Sequence, residues 1–98
     1  MNTYMVIIEL PKHLNEEFLA RVPEQRLCIN ELMNEGRVLQ YALAIDRSSL
    51  WLTISAHTKV EAKEIVATFP LIDYMKPQFV ELAFYNSIST ELPKLIMN

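Results

Sequence analysis

The chain lacks most of what marks the large functional classes. Among 98 residues there is one glycine and one cysteine. The lone Cys28 cannot close an internal disulfide, so a stapled secreted scaffold is excluded. With only Gly36 to draw on, the chain has neither a glycine-rich phosphate loop nor a nucleophile elbow. Nine basic residues stand against twelve acidic ones, a net charge of −3. The basic residues are scattered, so no stripe exists to neutralise a phosphate backbone, and nucleic acid is not an expected partner. No apolar run approaches the roughly 18 residues that span a bilayer, so no membrane association is expected. The opening MNTYMVIIEL has neither a basic n-region nor a small-residue cleavage site. A cytoplasmic protein is the expectation. His13, His57 and Cys28 have no metal-ligand spacing, and Met5, Met33, Met75 and Met97 read as flexible core filler, so neither metal nor cofactor is expected.

What is present is apolar. Hydrophobic residues make up 51% of the chain. A single domain of this length hides only roughly 60–70% of its unfolded surface, so the excess points to association with another copy.

The stretch from Lys63 to Tyr85, KEIVATFPLIDYMKPQFVELAFY, organises the rest. Ala62, Ile65, Val66 and Phe69 recur at helical spacing. Pro70 blocks continuation of that helix. Leu71, Ile72, Tyr74 and Met75 form an apolar corner, and a strand is predicted from Gln78 to Asn86, beginning after Pro77. Upstream, Thr3–Leu10 alternates as a strand that Pro11 ends. Leu14–Glu35 reads as helix, with Leu14, Phe18, Val22, Cys28, Ile29, Leu32 and Met33 in a sector of about 140°. Pro23 predicts either one kinked helix or a short turn followed by a helix. Gly36 sits where a left-handed cap belongs. Arg37–Asp46 and Leu50–His57 read as a hairpin around a polar turn. Thr58 with Glu61 forms a capping box for a second helix running to about Thr68.

The order strand, helix, strand, strand, helix, strand predicts an α+β, ferredoxin-like fold: a four-stranded antiparallel sheet with two helices on one face. Strand two offers Leu39, Tyr41, Leu43 and Ile45 on one side, and Val38, Ala42 and Ala44 on the other. Strand four offers Val80, Leu82 and Phe84 against Phe79, Ala83 and Tyr85. Two helices cover one face only, so the other is expected to pack on a second copy, as a homodimer or a higher homo-oligomer. The domain is expected over residues 1–89. Residues 90–98 form an apolar tail, expected either on a neighbouring subunit or folded back over the chain's own helices.

In this order the residues resemble the muconolactone isomerase-like family of the dimeric α+β barrel superfamily. The most specific match is FPLIDYM, Phe69 to Met75, similar to the family's leucine-proline-leucine corner ending in tyrosine-methionine. Leu10-Pro11, the run Glu31, Leu32 and Gly36, and the run Glu61, Glu64 and Ile65 match more weakly. The resemblance implies a homo-oligomeric barrel and cofactor-free proton transfer within a small unsaturated lactone. At places where the family carries polar side chains, this chain has Ala42, Leu43, Leu50 and Tyr85. That favours the alternative, a small-ligand-binding or assembly module that keeps the barrel without the reaction.

Proton transfer needs a base beside the acidic carbon and a donor to the enolate-like oxygen. His57 has a suitable intrinsic pKa. Tyr41 and Tyr85 are candidate oxyanion donors, and Arg26 is the candidate anion anchor, with Glu24 and Trp51 as further ligand-binding residues. Each has a plainer explanation: a rim histidine, packed tyrosines with one satisfied hydroxyl, and a solvated helix face.

Overall fold

The computed structural model describes residues 1–87; the tail expected at 90–98 lies outside them. The elements are β1 (Asn2–Glu9), α1 (Glu16–Asn34), β2 (Val38–Leu43), β3 (Ser49–Ala56), α2 (Lys59–Ala67) and β4 (Lys76–Leu82), with a single 3-10 turn at Ile72–Tyr74 before β4. The strands form one sheet in the order β2-β3-β1-β4, every neighbour antiparallel. This is the ferredoxin-like βαββαβ fold expected from the sequence.

Alternation decides which side chains meet the helices. Tyr4, Val6 and Ile8 of β1 pair with Ile54, Leu52 and Leu50 of β3, and all six are buried. They form one core with Phe18, Ile29 and Leu32 of α1 and Ala62, Ile65 and Val66 of α2. The intervening residues, Met5 and Ile7 with their partners Thr53 and Trp51, occupy the face away from the helices.

Helix ends follow local chemistry. The Asn15 side chain accepts from the Phe18 N–H at 2.7 Å and caps α1. At its other end Gly36 has φ +75°. Its N–H donates to the Met33 carbonyl, and that of Arg37 donates to Leu32, the paired bonds that close a helix through a left-handed residue. Thr58 caps α2 by accepting from the Glu61 N–H at 3.1 Å. The Glu61 carboxylate returns the bond one residue earlier than a standard capping box, to the His57 N–H.

Of the two readings of Pro23 the single helix holds, and two other details depart from expectation. Helix α1 runs unbroken through Pro23. The Leu19 carbonyl loses its donor there, but Leu19 is exposed, so water can replace the bond. Strand β4 begins at Lys76 and includes Pro77, which an edge strand tolerates because one side of its backbone needs no partner. It also ends at Leu82 rather than Asn86. Finally, Leu39 is an extra residue between the pairs Val38–Ile54 and Gln40–Thr53. This bulge places Val38 in the core and turns Tyr41 and Leu43 to the helix face, rather than setting Val38 beside Ala42.

Candidate functional site

The corner motif builds the floor of a cavity. Phe69, Leu71 and Met75 are buried, and Tyr74 meets Phe18 edge to face at 5.2 Å. The corner is also tied to α1, because the Leu71 N–H donates to Gln25 Oε1 at 3.2 Å.

Above this floor, between α1, β2 and the β2–β3 turn, lies a cavity of about 290 Å3. Its inner wall is Phe18, Leu50, Leu71, Met75 and Gln25, all buried. Its outer wall carries Tyr41, Leu43, Arg26 and Arg47. The volume falls near the low end of the roughly 300–1,000 Å3 typical of ligand pockets, so it fits a small metabolite. A wider groove of about 470 Å3 runs between α2 and β4. Its polar side chains, Lys59, Lys63 and Gln78, are all exposed, so among the described residues it has no buried polar group to orient a ligand.

The polar groups of the smaller cavity are positioned by backbone features. The Leu39 bulge aims Tyr41 into it. Arg47 reaches the rim from a left-handed conformation, φ +61°. The turn is held by Asp46, whose Oδ1 accepts from the Ser48 N–H at 3.0 Å and the Ser48 hydroxyl at 2.7 Å. Those bonds hold the Asp46 carboxyl below its ordinary range.

Burial raises the Tyr41 phenol above its ordinary range, and the nearby Arg26 charge partly offsets this. The fold therefore holds the proton more tightly than the unfolded chain does. Stability from this source is complete below the unfolded phenol pKa of about 10 and is lost as pH rises through the folded value. Tyr41→Phe is expected to flatten the alkaline fall in stability, measured by denaturant unfolding at stepped pH. An unchanged slope contradicts the assignment.

The six residues singled out from the sequence fall in different places. Tyr41 and Arg26 share the cavity. Glu24 is exposed on α1 and does not line it. Trp51 points to the opposite face of the sheet, beside Ile7 and Ala42. His57 follows β3 at the end of the sheet away from the cavity, roughly 20 Å along the strand from Leu50. Its carbonyl accepts from the Asn2 side chain. The Tyr85 hydroxyl donates to Gln40 Oε1 at 2.7 Å. Tyr85 follows the edge strand β4, whereas Gln40 lies on β2 at the other edge. The segment after Leu82 thus crosses the open face, a span of roughly three 4.8 Å strand spacings. His57, Tyr41 and Tyr85 do not converge.

Sequence reasoning set Gln25 aside as unable to act as a base, and it did not single out Arg47. Gln25 left a signal: at 100° per residue it falls between Phe18 and Leu32, in the middle of the apolar stripe. Arg47 left none, since its place on the rim depends on the turn geometry. No protein-family model matches the chain, and no curated protein matches it.

Proposed function

We propose that this is a muconolactone isomerase-like protein that holds a small, unsaturated, anionic metabolite in the cavity between α1 and β2. The observation that carries the proposal is the cavity's polarity gradient. Its inner wall is apolar and its outer wall carries two guanidinium groups, Arg26 and Arg47. That pattern suits an apolar body with a carboxylate at one end, which a guanidinium binds through paired hydrogen bonds. Within such a complex Tyr41 is the group able to donate to an enolate-like oxygen, because burial favours its protonated form. The corner resemblance and the α+β fold support cofactor-free proton transfer as the reaction. The apolar open face supports assembly through the sheet, as in a dimeric barrel.

The second reading, binding without reaction, has its own observation. Among the described residues the cavity lining contains no carboxylate and no imidazole, so the base that an isomerisation requires is not among these side chains.

Small unsaturated lactones and carboxylic acids, screened by thermal shift, are expected to include compounds that stabilise the protein. Arg26→Ala and Arg47→Gly are each expected to weaken such binding by about tenfold. Arg47→Gly also relieves a left-handed arginine and should leave the fold as stable or more so, by up to about 1 kcal/mol. Binding that survives both substitutions removes the anion site. Incorporation of solvent deuterium into the bound acid, lost in Tyr41→Phe, identifies the isomerase; binding without incorporation identifies the binding module.

A further inference from the structure

We propose that Gln25 is a specificity-determining residue, donating from Nε2 to an uncharged oxygen of the bound molecule. The inference rests on the reading of the cavity as a ligand site. Gln25 is 3% exposed and lines that cavity. Its Oε1 accepts from the Leu71 N–H, which settles the amide orientation, since the flipped form would set donor against donor. Nε2 is then a fixed donor, and it is buried without a partner among the described residues.

A buried donor left unpaired is costly, and an oxygen brought by the ligand removes that cost. A hydrocarbon of the same shape does not, so the site discriminates by the presence of that oxygen rather than by size. Arg26 and Arg47 select the charged end from the rim, and Gln25 reads the apolar end from the inner wall. The same side chain holds the corner to α1, so recognition is built on a fixed part of the fold.

The test uses the full chain and two acids of one skeleton, β-benzoylpropionate and γ-phenylbutyrate, which differ by a single ketone oxygen. Calorimetry is expected to give about tenfold tighter binding of the keto acid to the wild type. In Gln25→Met the ratio should fall to about one, with the affinity for phenylbutyrate little changed. In the wild type, the Gln25 side-chain amide resonances should move with the keto acid and stay in place with phenylbutyrate. That measurement decides the question even where Gln25→Met fails to fold. Equal affinity of the wild type for both acids, or a preference that persists in Gln25→Met, overturns the role of Gln25 and leaves the cavity as an anion site. If neither acid binds, the cavity reading falls and takes this inference with it.

Discussion

Replacing Phe69 with alanine is expected to lower stability by about 3–5 kcal/mol, the usual cost of emptying a buried phenylalanine site. Phe69 is 1% exposed, and its carbonyl also accepts from the Ile72 N–H. The corner is fixed from both sides, by Pro70 after it and by the end of α2 before it, so collapse into the void is restricted. Domains of this class have only about 5–15 kcal/mol in total. The loss corresponds to a fall in melting temperature of roughly 20 °C. Val60→Ala, an exposed position on α2, should change stability by less than about 0.5 kcal/mol. Thermal melts of both variants beside the wild type check the contrast. A Phe69→Ala protein within about 1 kcal/mol of the wild type shows that the corner does not anchor the core.

Trp51→Glu is expected to dissociate the proposed dimer while leaving the subunit folded. Trp51 sits on the face away from the helices, beside Ile7 and Ala42, and is 38% exposed in the isolated chain. The same face carries Met5 and its partner Val80. A carboxylate there is harmless to a monomer but has no partner once two sheets close over it. The desolvation cost should weaken association by about a hundredfold or more. Sedimentation is expected to give a dimer for the wild type and a monomer for the variant at the same concentration, with matching circular dichroism. A wild-type monomer at micromolar concentration, or a Trp51→Glu dimer, removes the barrel.

The fold was legible because two periods run through the chain without conflict. Tyr4, Val6 and Ile8 alternate, and Phe18, Ile29 and Leu32 recur at helical spacing, so both point to one core. Gly36 and Thr58 punctuate the helices by local rules that distant contacts do not override. The Leu39 bulge was not legible. Nothing in VLQYAL favours pairing with one residue too many, and the sequence pattern counted every second side chain to one side. That one residue decides whether Tyr41 faces the cavity or the open face. The site was legible to the same limited extent. Arg26 and Tyr41 stood out by chemical type, and the structure puts them in one place. His57 and Trp51 stood out for the same reason but lie elsewhere, because strand parity and strand length separate them from the cavity. Gln25 stood inside the apolar stripe of α1, but its place in the cavity followed only from its burial and its bond to Leu71.

The strand order has a consequence for how the molecule is made. β1 emerges from the ribosome before the other three strands, yet its final place is inside the sheet, between β3 and β4. Until β4 is synthesised, β1 keeps one edge of unpaired backbone groups, flanked by the apolar side chains on both of its faces. Such an edge can recruit another nascent chain. Folding therefore finishes only after translation has passed Leu82, and a chain truncated before Lys76 should be rescued from aggregation by a peptide spanning β4.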